Sequence, residues 1–144
     1  MTPEPTAGVI EDREHLLPIR VYFEDTDFTG VVYHGAYVRF LERGRSDFLR
    51  LAGVRHRALE AEGFAFTVVR MELDFKQPAR IDDALIVRSR FLEMRGPRLV
   101  IGQQVARDDT LLVDARVEAA CIGLDGRPRR PPAAMTGAIR PLIF

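Results

Sequence analysis

Between Val69 and Lys76 the chain reads Val-Arg-Met-Glu-Leu-Asp-Phe-Lys, so Val69, Met71, Leu73 and Phe75 share one face and the polar residues the other. A strict two-residue period predicts a strand with one dry and one wet side. Val113, Ala115, Val117, Ala119 and Cys121 repeat the pattern against Asp114, Arg116 and Glu118, and Leu85 to Leu92 and Leu99 to Val105 are apolar-rich stretches of strand length. Arg95-Gly-Pro97 and Asp108-Asp-Thr110 are turn-like separators within this set. Strands joined so closely pair antiparallel, because parallel neighbours need crossovers of about a dozen residues or more. The second half of the chain is therefore expected to form an antiparallel meander.

One segment has a helical period. From about Ala36 to Leu51 the apolar stripe is Tyr37, Phe40, Leu41, Gly44, Phe48 and Leu51, with Arg39, Glu42, Arg43 and Arg50 mostly off it. Gly53 supplies a stop. Gly44 inside the helix costs about 1 kcal/mol relative to alanine, which implies that a sheet backbone approaches closely there. A short strand over roughly Pro18 to Glu24 completes an α+β domain of five or so strands around one long helix. Residues 1–17 carry an acidic excess without a sustained apolar period and read as a flexible leader, leaving 18–144 as a single domain. Asp125 to Pro132 has the composition of a surface loop.

Length and charge agree with that outline. A chain of 144 residues is one domain in size, and 21 basic residues balance 21 acidic ones, so no global field draws it to nucleic acid or membrane. A single cysteine, Cys121, excludes an internal disulfide, and neither a long apolar stretch nor a secretory signal pattern is present. The cytosol is the expected compartment.

The chemistry concentrates in Phe23-Glu-Asp-Thr-Asp-Phe-Thr-Gly-Val-Val-Tyr-His-Gly-Ala-Tyr37. Asp25-Thr-Asp27 could hold a divalent cation, but no second carboxylate cluster, glycine-rich phosphate loop or alternating βαβ pattern accompanies it, which disfavours a metal site. No nucleophile elbow exists, and Cys121 on an apolar strand face reads as a buried inert thiol. A third reading places Asp27 near the start of the helix. No Ser, Thr, Asp or Asn stands at positions 33–36 to cap it. Its first backbone N–H groups, around Tyr33, His34 and Gly35, are then free to polarise a carbonyl oxygen, each donor being worth roughly 3 to 4 kcal/mol at a transition state. With Asp27 as base or nucleophile, that pairing suits hydrolysis of an activated acyl compound such as a thioester. The same residues also suit a turn in which Asp and Thr side chains bond the backbone. Spacing alone leaves both readings open.

Tyr22-Phe-Glu-Asp-Thr-Asp27, Gly30-Val-Val-Tyr-His34, Tyr37 and Phe40-Leu-Glu-Arg-Gly-Arg45, continued by Gln77-Pro-Ala-Arg-Ile-Asp-Asp83 and Met94-Arg-Gly96, resemble the hotdog-fold acyl-CoA thioesterases of the 4-hydroxybenzoyl-CoA thioesterase type. Among these the likeness is greatest to the Tol-Pal-associated bacterial branch. The resemblance implies a hotdog fold, an antiparallel sheet of five to six strands wrapped around one long central helix. It implies Asp27 as the catalytic carboxylate, His34 as the source of the carbonyl-polarising N–H, and Asp25 as a turn residue. It also implies an acyl-CoA substrate, no cofactor, and a homodimer or homotetramer with the site at the subunit interface. Acyl carrier protein is a further candidate partner. Coenzyme A carries phosphates, and Arg95 and Arg98 in the expected hairpin are candidate ligands for them. The alternatives are a hotdog hydratase or dehydratase, whose His-Phe-Pro type motif is absent, and a non-catalytic acyl-binding or scaffolding protein. Three positions depart from the family pattern: Phe28-Thr29 in place of small residues, which narrows the expected mouth of the site, Phe23 in place of a tyrosine, and Gly44 in place of an alanine.

Overall fold

The computed structural model describes residues 1–144. Strands β1 (Val9–Glu11) and β2 (Glu14–Arg20) precede the long helix α1 (His34–Leu51) and the short helix α2 (His56–Ala61). Strands β3 (Phe64–Phe75), β4 (Ala84–Arg95), β5 (Arg98–Arg107) and β6 (Thr110–Gly123) follow, and α3 (Ala133–Ile139) ends the set. All six strands form one antiparallel sheet in the order β1-β2-β4-β5-β6-β3. The expected α+β sheet around one long helix is what is observed.

Three expectations change. The meander holds for β4, β5 and β6, but β3 does not pair with β4. It crosses by way of residues 76–83 to the far edge and pairs with β6, from Phe64 opposite Gly123 to Phe75 opposite Val113. As an edge strand it is only half covered: Met71 and Leu73 pack on the core, while Val69 and Phe75, expected on the dry face, are 44% and 54% exposed.

The leader read over residues 1–17 is shorter than expected. Residues 1–8 take no regular secondary structure, whereas Val9 to Leu17 belong to the sheet, with His15 and Leu17 buried. The inward series on β2 is His15, Leu17 and Ile19, and a histidine in its first place hides the period. The two-residue turn between β1 and β2 is Asp12-Arg13, both at positive φ, a hairpin geometry usually marked by glycine. The strand expected over Pro18 to Glu24 ends at Arg20, because the Asp25 carboxylate accepts the Tyr22 N–H at 2.9 Å and pulls Phe23–Asp25 into a single 3-10 turn.

Helix α1 begins two residues earlier than its pattern indicates and buries Ala36, Tyr37, Phe40, Leu41, Gly44, Phe48 and Leu49. One core cluster joins its first half to β2, β4 and β6, and a second joins Phe48 and Leu49 to Phe91, Ile101 and α3. The approach at Gly44 comes from side chains rather than backbone. A Cβ there would stand 2.8 Å from Val87 Cγ1 and 3.2 Å from both Gln103 Nε2 and Ser89 Oγ. Gly44 thus makes room for a polar cluster under the helix.

Candidate active site

The loop between β2 and α1 is closed by its own backbone. Tyr33 N–H donates to the Asp25 carbonyl at 2.9 Å, Asp27 N–H to the Val31 carbonyl at 2.9 Å and Gly30 N–H to the Asp27 carbonyl at 3.1 Å. Thr26 and Val32 form an isolated antiparallel bridge. Gly30 closes the reversal at φ 81°, a conformation that suits glycine. These bonds set Asp27 across from Val31, three residues before the helix starts.

The two carboxylates of the loop have different surroundings. Asp25 is 4% exposed, accepts the Tyr22 N–H and lies 3.5 Å from an Arg39 nitrogen, so it holds the turn. Asp27 is accessible. Its Oδ1 accepts the Thr29 hydroxyl at 2.6 Å and the Thr29 N–H at 2.8 Å. These two bonds, the hydroxyl first, hold its carboxyl below the usual range against a small opposing effect of burial. Asp27 is therefore ionised at neutral pH, and both Thr29 bonds fall on Oδ1. Thr29 appeared in the sequence only as a larger residue at the mouth of the site. Its signal was the Asp-x-Thr spacing of a side-chain-closed turn.

Tyr33 stands at the N-cap of α1 and makes no side-chain capping bond. The His34 and Gly35 N–H groups have no acceptor in the chain. They form a pair of unpaired donors at the positive end of an 18-residue helix. The Tyr33 and His34 rings lie 4.3 Å apart. A Cβ on Gly35 would come within 2.7 Å of Tyr33 Cε1, so Gly35 admits the tyrosine ring over the helix start. Phe75 of β3 stands edge-on to His34 at 6.5 Å and is tilted against Tyr37 at 5.8 Å. Tyr37 itself is buried, and its hydroxyl accepts the Ala79 N–H at 3.1 Å. Phe28 is fully exposed at the loop tip.

The structure thus places Asp27 opposite Val31 in the loop that leads into α1, and Tyr33, His34 and Gly35 at the helix start that follows. It does not bring Arg95 and Arg98 to them. These two face each other at the β4–β5 hairpin, and Arg98 lies opposite Ala120 on β6. The residue of β6 beside Phe75 is Val113, seven positions and roughly 23 Å along the strand. Arg95 and Arg98 instead lie 3.5 Å from Glu93 and 3.9 Å from Glu118.

A cavity of about 1420 Å³ lies on the other flank of α1, between β2 and α2. Leu17, Ile19, Tyr22, Arg43, Arg50 and His56 are among its lining residues, and it includes neither Asp27 nor His34. No three His, Cys, Asp or Glu side chains gather anywhere in the chain as a metal site would require. No helix is long and apolar enough to cross a membrane.

Comparison with known proteins adds an independent line. A model of the thioesterase-like superfamily matches residues 21–139. The acyl-CoA thioester hydrolase YbgC of Escherichia coli O6:H1 is 41% identical over 125 residues, 85% of this chain and 93% of its own length. The crystal structure of a probable thioesterase from Bartonella henselae superposes with a TM-score of 0.79 at 43% identity, covering 83% of this chain and 99% of that one. A 4-hydroxybenzoyl-CoA thioesterase bound to 4-hydroxybenzoyl-CoA shares the fold alone, with a TM-score of 0.82 at 21% identity over 88% of this chain and 99% of that one.

Proposed function

The chain belongs to the thioesterase-like superfamily, and from that premise we propose that it hydrolyses acyl-CoA thioesters to the free acid and coenzyme A at the start of α1. The observation that carries this reading is an ionised, accessible Asp27 in the short loop that leads into a helix start whose His34 and Gly35 N–H donors are unpaired. The thioester oxygen sits on the two N–H groups, whose hydrogen bonds strengthen as negative charge develops on it. Asp27 Oδ2 either takes a proton from the attacking water or attacks the carbonyl itself and forms an anhydride that water opens. The thiolate leaves in both routes. The Thr29 bonds hold Asp27 Oδ1 and so aim Oδ2, and Tyr33 covers the helix start beside the reacting carbonyl.

Replacing Asp27 by Asn tests the assignment. Turnover, followed by release of free thiol, is expected to fall about 10²- to 10⁴-fold, with the melting temperature unchanged. Wild-type activity in that variant would remove Asp27 from the mechanism.

The assembly belongs to the same proposal. β3 is a 12-residue edge strand paired on one side only, with Val68, Val69 and Phe75 exposed. Long apolar edges of this kind are a liability unless covered. A second copy pairing along β3 covers the edge and places its own surface beside His34, giving a homodimer, or a homotetramer of two such pairs. A coenzyme A tail that crosses the subunit boundary then gives Arg95 and Arg98 of the second copy a place as phosphate ligands. A cytosolic location, an acyl carrier protein partner and a link to the Tol-Pal envelope system rest on the sequence likeness to that branch. Co-purification with tagged protein tests the last two.

A further inference from the structure

Arg45 ends the Phe40-Leu-Glu-Arg-Gly-Arg45 string and has no part in the reading above. It is half-buried, and one of its nitrogens donates to Gln103 Oε1 at 3.0 Å. Gln103 is in turn fixed from the other end: its amide nitrogen donates to the Leu41 carbonyl and to Ser89 Oγ, both at 2.9 Å. No carboxylate lies within ion-pair distance of Arg45, although nine such pairs occur in the chain, from His15–Asp47 to Arg107–Asp83. A guanidinium has five donors and ordinarily finds a carboxylate when it leaves water. The unused nitrogens of Arg45 are not among the buried atoms that lack a partner, so they open onto accessible space. Burial lowers the Arg45 pKa, with the charge of Glu42 opposing.

The position of this group is set by two independent rulers. On the sheet, Val87, Val105, Val113 and Phe75 form one inward row, and Ser89, Gln103, Ala115 and Leu73 form the next. Phe75 touches His34 and Gln103 holds Arg45. Neighbouring inward rows are roughly 7 Å apart. On the helix, His34, Leu41 and Arg45 follow one flank. The rise from His34 to Arg45 is about 16 Å, of which a long side chain leaning toward the N-terminus recovers several ångströms. The helix ruler puts the guanidinium roughly 10 Å from the unpaired N–H groups, and the sheet ruler puts Gln103 one inward row from the Phe75 row. The floor between them is small or apolar, with Ala115, Leu73 and Phe75.

We propose that Arg45, held by Gln103, forms the far end of the acyl subsite and selects acyl groups whose terminal carboxylate is about the sixth carbon, counted with the thioester carbonyl as the first. This rests on the hydrolytic reading for the position of the thioester. The acyl chain runs along the flank of α1 under β3, its carbonyl on His34 and Gly35 and its terminal carboxylate on the free donors of Arg45.

The test compares kcat/KM for adipyl-CoA and for hexanoyl-CoA, which differ in the terminal group. Wild-type protein is expected to favour adipyl-CoA by about 10- to 100-fold, the worth of a hydrogen-bonded charge pair. Arg45→Met is expected to collapse that ratio. Should Arg45→Met fail to fold, Gln103→Glu takes its place, because a carboxylate beside Arg45 satisfies the guanidinium internally and collapses the ratio by the same logic. A wild-type ratio near or below one, or a ratio that survives in the folded variant, overturns the proposal. Calorimetric binding of the two thioesters to Asp27→Asn protein keeps the claims apart. Equal affinities there overturn the role of Arg45, whereas turnover by that protein overturns the role of Asp27.

Discussion

The two flanks of α1 are built on opposite rules. On the β2 flank every buried polar side-chain atom but one has a partner within the chain. The Asp47 carboxylate meets His15 Nε2 at 2.7 Å, the Gly8 N–H at 2.8 Å and an Arg50 nitrogen at 2.6 Å, and the His15 ring stacks on Phe48. The exception is His15 Nδ1, a buried atom without a partner. On the β3 flank the helix leaves donors open: His34 N–H, Gly35 N–H and part of the Arg45 guanidinium. Closed polar networks fasten a helix to its sheet, whereas open donors held by a rigid scaffold are what binding and catalysis use. The β2 flank therefore carries stability and the β3 flank chemistry, on one helix and half a turn apart.

That division can be broken from either side. Asp27→Asn removes activity and leaves stability alone. His15→Ala is its mirror image: it opens a core cavity and strips a hydrogen bond from Asp47, at an expected cost of about 2 to 4 kcal/mol in denaturant unfolding, with kcat unchanged. A loss of kcat at full stability in His15→Ala would dissolve the contrast.

Next in size is the edge. Val69→Lys puts a charge on the unpaired side of β3, and sedimentation is expected to show the oligomer giving way to monomer. Activity should follow the oligomer if a second copy completes the site. A fully assembled Val69→Lys protein would place the interface elsewhere.

The pH dependence of stability separates the flanks again. Burial, the dominant cause, lowers the His15 pKa from its ordinary 6.5, outweighing the bond and charge of Asp47 that raise it. The unfolded chain thus binds a proton more readily than the folded one. Stability is full above about pH 6.5 and declines as pH falls below it. Burial would raise the Asp47 carboxyl, but bonds from His15, Arg50 and Gly8 together bring it below its ordinary value. Its own contribution is lost at lower pH, as that carboxylate protonates. Urea melts across this range should show the upper step vanish in His15→Phe.

The smallest expected change is at Thr29. Thr29→Ala removes the hydroxyl that does most to lower the Asp27 pKa. The acid limb of kcat/KM should move to higher pH, since the ionised form is the active one and is then lost earlier on acidification. An unmoved limb would mean that Asp27 is not the titrating group.

Much of this molecule is legible in its sequence, because periodicity records which side of an element is dry. The period of α1 exposes its buried stripe, that of β6 its inward face, and the absent cap at positions 33–36 the free donors at the helix start. The length of the Asp-Thr-Asp to Tyr-His string identifies the family, and with it the roles expected of Asp27 and His34. Other features depend on which strands meet in space. Whether β3 lies beside β4 or β6 leaves no local trace, because the choice turns on how an eight-residue connection crosses the sheet. The depth of β2 is hidden because His15 is acceptable in the core only when Asp47, far along the chain, supplies its bond. Arg45 reads as one more helix-surface charge until the fold sets it over Gln103 with no carboxylate in reach. Local pattern is a property of neighbours in the chain. Partnerships between distant polar groups, and the places where a partner is missing, arise only when the strands take their order.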